Sequence, residues 1–222
     1  MVFIHGSGGN PDFYRVLLEA WAEQGYVVAA PRFPPPLAGQ AADVSFVMDE
    51  MLRLSDEGSG PYAGLVDEDS VGVAAHSAGG DAVLGVAFDS CCIDPRVQAA
   101  VVMAGVAPPE SDGSHFAGVH TPLLVVHGEA DPTVPYASGR SIFDRAQPPK
   151  MMLTVPESDV PSADHARPYV GTENRPLADT RVVIATTTAF LDHYLRGDET
   201  AIERMRDTVG SEVAFRLEVV AN

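Results

Sequence analysis

Three side chains, each just after a short apolar run, carry the chemistry this chain of 222 residues has to offer: Ser77, Asp131 and His165. Ser77 lies in Ala75-His76-Ser77-Ala78-Gly79-Gly80. Residues 71–75 read as a strand and 78–88 as a helix rich in small residues. Ser77 therefore falls on a tight strand-to-helix turn that lifts its hydroxyl to the top of a sheet. The pattern is G-x-S-x-G with Ala75 in the first glycine's place, and small residues two before and two after the serine let strand and helix approach closely. The helix N-terminus behind Ser77 favours developing negative charge. The competing use is a serine that merely caps the helix. His76 reads as packing beside the turn.

A second feature is His5-Gly6-Ser7-Gly8-Gly9, after the first apolar run. Its glycines let the backbone approach a ligand closely. A serine nucleophile needs two backbone N–H groups aimed at the acyl oxygen, and the positions that suit are Ala78, just after Ser77, and Ser7 in this loop. A phosphate-binding loop is the rival reading. It would require a lysine after the glycines or G-x-G-x-x-G, and the sequence has neither. His5 reads as a structural histidine holding the loop.

Asp131 follows the run 123–127 in Gly128-Glu129-Ala130-Asp131-Pro132-Thr133-Val134-Pro135. It can orient a histidine in the adjacent loop, or serve only as an Asp-Pro turn residue; Glu129 is its local rival. His165 follows the run 151–155, in the loop 158–167 with Asp164, ahead of the last long helix. The other histidines suit a base less well: His5, His76 and His127 adjoin strands, His115 and His120 precede Asp131, and His193 sits within a helix. The order Ser, Asp, His suits a hydrolase in which His165 takes the Ser77 proton and Asp131 fixes its tautomer. This assignment requires Ser77 within hydrogen-bond reach of one His165 ring nitrogen, Asp131 on the other, and the Ser7 and Ala78 N–H groups facing one space.

Short apolar runs alternate with amphipathic stretches along the chain. Strands are expected at 2–4, 26–30, 71–75, 98–104, 123–127 and 151–155. Helices are expected at 13–23 (Phe13, Val16, Leu17, Ala20 and Trp21 at helical spacing), 43–54, 78–88, 136–146, 180–195 and 199–208. Pro34-Pro35-Pro36 marks a loop and 58–69 a polar connection; 210–222 alternates too weakly to place. Continuous apolar strands between helices imply an α/β class with a mostly parallel sheet covered on both faces, and one domain over 1–222. Ligands then sit at the carboxyl ends of the strands, where the three residues fall.

The formal net charge is −17. Such a surface repels phosphate backbones, which argues against nucleic acid as a partner. No apolar run reaches the ~18 residues of a membrane span, and residues 1–5 lack a signal peptide's basic start and long apolar region. Cys91 and Cys92 are adjacent. Bridge geometry disfavours a disulfide between neighbours, so neither a disulfide framework nor metal-ligand spacing is expected.

Together these segments resemble the α/β-hydrolase superfamily over nearly the whole chain. The second half is most similar to its dienelactone-hydrolase-like branch, which includes cutinase-like polyester-cleaving esterases. The likeness rests on His127-Gly128-Glu129-Ala130-Asp131 with Val134-Pro135, and on Asp164-His165 before the helix bearing Phe190-Leu191-Asp192-His193-Tyr194-Leu195. Ala75-His76-Ser77 is also similar to the turn of small lidless bacterial lipases. Serine rather than cysteine at 77 departs from dienelactone hydrolase itself and points to ordinary esters. The family usually carries a strand pair ahead of the His-Gly loop. Its absence leaves two alternatives: a minimal, cytoplasmic member, or a missing upstream segment that included a secretion signal.

The connection 105–121 is too short for a helical cap domain, so the resemblance implies an open site for small or polymeric esters. Candidate wall residues are Asn10, Phe13, Val106, Phe116, Val134 and Tyr136. The leading expectation is a carboxylic-ester hydrolase working through an acyl-enzyme, with no metal or organic cofactor. The alternatives are a non-catalytic binding protein on the same scaffold and an acyltransferase. Oligomeric state is left open.

Overall fold

The apolar runs lie side by side because each is buried on both faces. The computed structural model describes residues 1–34, 40–108, 115–156, 165–170, 177–212 and 214–221, without the side chain of Arg167. Its six-stranded sheet runs β1 (Val2–Ile4), β2 (Val71–His76), β3 (Val97–Met103), β4 (Leu123–Gly128), β5 (Lys150–Val155) and β6 (Arg216–Val220), in that spatial order. The first five pair in parallel and β6 runs antiparallel to β5. Pro35 and Pro36 of the expected loop lie outside the described residues. So do 109–114 of the 105–121 connection, and 158–164, Asp164 included, of the loop bearing His165.

Alternate strand residues point to opposite layers. Val73, Ala75, Ala100 and Val102 pack under α2 (Ala41–Asp56), α3 (Gly80–Phe88) and α4 (Tyr136–Arg145). Ala74, Ala99, Val101 and Met103 pack under α1 (Arg15–Glu23), α6 (Ala178–Arg196) and α7 (Ala201–Gly210). A short helix, α5 (Arg167–Val170), buries Tyr169 in the second layer. The class is α/β, and among the described residues no helix is long and apolar enough to cross a membrane.

Two expectations need correction, and one unplaced segment finds its place. Residues 26–30 form no full strand: the segment holds to β1 through Ala29 N–H to Met1 O at 2.9 Å and Phe3 N–H to Ala29 O at 2.8 Å, a single parallel bridge. The tail, which the sequence left unplaced, forms β6 and completes the sheet beside β5. Cys91 and Cys92 are joined by a disulfide, in an exposed turn beyond α3.

The segment 27–29 lies on one side of β1 and β2 on the other. The chain thus leaves β1 in one direction through α1 and returns past it through α2. The strand order reverses between β1 and β2, and their carboxyl ends flank the crevice that such a reversal opens.

Candidate active site

Ser77 follows β2 and begins a 3-10 turn, Ser77–Gly79, that continues into α3. Its φ is +54°, a region a residue with a Cβ rarely enters. Strain of this kind persists where the surroundings impose it, and β1 packs tightly against this turn two residues on. A Cβ on Gly79 would sit 2.7 Å from the carbonyl oxygens of both Ile4 and His5. Glycine at 79 lets the helix start rest directly on β1. The first N–H groups of a helix lack partners within it, and the Ala78 amide is one of these.

The loop after β1 is held from several sides. Gly9 N–H donates to Gly6 O at 3.0 Å, and the Phe33 N–H donates to His5 Nε2 at 3.1 Å. His5 Nε2 therefore accepts, its proton lies on Nδ1, and Nδ1 donates to Gly6 O at 2.9 Å. Gly6 N–H donates to the Tyr14 hydroxyl at 3.1 Å. Ser7 is exposed at the loop tip, and its N–H makes no backbone hydrogen bond among the described residues.

Asp131 stands in the turn after β4 and divides its carboxylate between two tasks. Oδ1 accepts the N–H groups of Thr133 and Val134 at 2.8 and 2.9 Å, fixing the turn. Oδ2 accepts His165 Nδ1–H at 2.7 Å. The turn role and the histidine-orienting contact thus coexist in one residue. Burial raises the Asp131 carboxyl, but the hydrogen bonds from His165, Val134 and Thr133 outweigh it and hold the group below the ordinary carboxylate range. Glu129, the rival acid, is exposed and paired with Arg216 at 2.9 Å.

With Nδ1 on Asp131, the free valence of His165 is Nε2, which is buried and has no hydrogen-bond partner among the described residues. The His165 ring packs against that of His76, the neighbour of Ser77, with centroids 4.5 Å apart. The Ser77 hydroxyl is not hydrogen-bonded to Nε2, so the reach expected between serine and base is unclosed in this state. His76 is 2% exposed; burial and the adjacent His165 push its pKa down to about 3. His127 is fully buried and donates from Nε2 to Val134 O at 2.9 Å, bracing the acid turn from beneath. Burial pushes its pKa down as well.

The proposed wall residues separate. Phe13 and Val106 are 59% and 51% exposed, one near the glycine loop and one after β3. Asn10 uses its side-chain oxygen to cap the turn at Asp12 N–H, 2.8 Å away. Val134 is buried, and the Tyr136 hydroxyl is tied to Thr154 Oγ1 at 2.7 Å. Phe116 is a core residue, not a wall: it is 2% exposed and packs on Phe88, at the end of α3 far from Ser77.

Tyr14 and Tyr169 flank the site without a motif to announce them. The spacing 13, 16, 17, 20, 21 points Phe13 inward, but the buried face is Tyr14, Leu17 and Trp21, with Tyr14 three and seven residues ahead of the other two. The chain enters the helix through a 3-10 turn over Pro11–Tyr14, which buries Tyr14 and leaves Phe13 exposed. Among the described residues no three metal-ligating side chains cluster. No protein-family model matches this chain, and no curated protein matches it in sequence.

Proposed function

We propose that the protein is a serine hydrolase of the α/β-hydrolase fold that cleaves carboxylic esters, with Ser77 as nucleophile, His165 as base and Asp131 as the orienting acid. The observation that carries the reading is His165 itself: one ring nitrogen is bonded to a buried carboxylate, and the other is buried and without a partner among the described residues, beside the strained serine turn. His127, which only braces the acid turn, also keeps a buried nitrogen without a partner among the described residues, so what sets His165 apart is its bond to the Asp131 carboxylate next to the serine turn. The reading is further supported by chain order, since the nucleophile follows β2, the acid β4 and the base β5.

In this reading an ester seats its carbonyl oxygen between the Ser7 and Ala78 N–H groups. The Ser77 hydroxyl then engages His165 Nε2, a contact often open before substrate binds. Nε2 takes the proton as Ser77 Oγ attacks the carbonyl carbon, and the charge that develops on oxygen is met by the two amides. Asp131 stabilises the imidazolium through Nδ1–H while remaining ionised. Collapse breaks the carbon–oxygen bond to the alcohol, which leaves with the Nε2 proton. Water repeats the sequence on the acyl-enzyme and returns Ser77 to its hydroxyl form. The exposed apolar side chains of Phe13 and Val106 suit an apolar ester in an open site.

The test is hydrolysis of p-nitrophenyl esters of rising acyl length by the wild type and by Ser77→Ala. Turnover should fall by roughly 10⁴-fold or more in the variant. A folded wild type inactive on every ester, or an active variant, would overturn the reading; the first result would favour a binding protein.

A further inference from the structure

We infer that Tyr14 and His76 form a positioning pair that ties the oxyanion loop to the nucleophile turn and backs the ring of the base, an inference that rests on the hydrolase reading above. The Tyr14 hydroxyl joins two segments whose spacing matters to the reaction. It accepts the Gly6 N–H at 3.1 Å and pairs with His76 Nδ1 at 2.8 Å. Gly6 immediately precedes Ser7, and His76 immediately precedes Ser77. One hydroxyl therefore sets the separation of an oxyanion donor from the attacking oxygen, one residue removed from each.

A side chain at position 6 would crowd all three groups. A Cβ on Gly6 would lie 3.0 Å from Ser77 Cβ, 3.1 Å from His76 Nδ1 and 3.3 Å from the Tyr14 hydroxyl. Tyr14 and His76 are 3% and 2% exposed, so their bond is shielded from competing water. The Tyr14 ring packs on Phe3 of β1 at 4.8 Å, which anchors the hydroxyl to the sheet rather than to the loop it holds.

His76 is the second half of the device. Its ring lies between Tyr14 at 5.5 Å and His165 at 4.5 Å, and rests on Tyr169 at 4.9 Å. A charged His76 would face the imidazolium that forms on His165; burial keeps it uncharged. Neither residue meets the ester in this arrangement, so both act by placing groups that do. Misplacing an oxyanion donor weakens the transition state more than the bound ester, so the effect belongs in kcat rather than KM.

Tyr14→Phe in the full chain removes the hydroxyl and keeps the ring. Loss of one oxyanion donor outright lowers kcat by ~10²–10³-fold. A displaced donor should lower kcat on the best p-nitrophenyl ester by about 10- to 100-fold, with KM within about twofold. Hydrogen exchange at the Gly6 amide should accelerate by at least about tenfold as its acceptor is lost. His76→Asn keeps a hydrogen-bonding atom near Nδ1 and removes the ring edge on His165. It should lower kcat while leaving Gly6 exchange near the wild-type rate. An active wild type whose Tyr14→Phe variant keeps its kcat overturns the inference and leaves the hydrolase reading standing. A wild type inactive on all esters overturns the hydrolase reading and the catalytic part of the inference together. The exchange measurement still judges the tie in that case, and unchanged Gly6 protection overturns it.

Discussion

At the carboxyl ends of the strands, the buried rings of His127 and His165 each keep one nitrogen without a hydrogen-bond partner among the described residues. At the opposite end, beside Val71 at the start of β2, lies a cavity of about 200 Å³ lined by Met48, Met51, Leu52, Leu65 and Leu195. Its polar rim is paired: Ser70 Oγ is 3.0 Å from both Asp67 Oδ2 and Leu195 O, and Arg196 bonds Asp192 at 3.0 Å while lying over the Tyr26 ring. An unpartnered buried polar atom costs about 1–3 kcal/mol. Such atoms persist where a ligand or a transient proton supplies the missing partner. Empty volume alone is no mark of chemistry. In this molecule a roomy cavity lies where the polar rim is paired, while the candidate base keeps a buried nitrogen without a partner among the described residues.

The sharpest way to break this contrast is Asp131→Asn. Asparagine retains an oxygen for the Thr133 and Val134 N–H groups, so the turn should survive with a stability change within about 1 kcal/mol. It does not retain an ionised acceptor for His165 Nδ1–H, and ester turnover should drop by roughly 10⁴-fold. Turnover within tenfold of wild type would remove Asp131 from the reaction and return it to a turn residue.

Met48→Ala addresses the other end. Met48 is 2% exposed and lines the cavity. Its truncation should destabilise the fold by about 2–4 kcal/mol in urea unfolding, while kcat/KM below the melting range stays within about twofold. A large loss of turnover at unchanged stability would show that the cavity end communicates with the chemistry.

The pH dependence of stability gives a smaller effect. The native pKa of His76 is about 3, against roughly 6.5 in the unfolded chain. That of Asp131 is also depressed. For both groups the unfolded state binds more protons in the intervening range. Stability is therefore full above about pH 6.5, declines as pH falls toward 3, and loses the Asp131 contribution below about pH 4. His76→Asn removes one titrating group and should flatten the slope of unfolding free energy between pH 6 and 4 by up to about 1.4 kcal/mol per pH unit. An unaltered slope would mean that His76 is not the group that destabilises the fold in acid.

Much of the fold was legible because burial on both faces writes each central strand as an unbroken apolar run. β1 to β5 each lie within a residue or two of their expected positions. β6 escaped because its residues alternate between exposed and half-buried, and only its pairing with β5 makes it a strand. The segment 26–30 had the composition of a strand, yet strand pairing depends on neighbours, and it meets β1 at a single bridge. Phe116 read as a pocket wall because an aromatic between strands fits either use; its placement against Phe88 settled it in the core.

By itself, the sequence determined that this is an α/β protein, and which serine, aspartate and histidine follow strand ends. Those features rest on local periodicity and on glycine where a Cβ would strike β1. Tertiary structure alone decided that His165 meets Asp131 across 34 positions of sequence, and that the Tyr14 hydroxyl joins Gly6 to His76. Contacts between distant segments depend on how sheet and helices close over one another, and no local pattern of residue types encodes that distance.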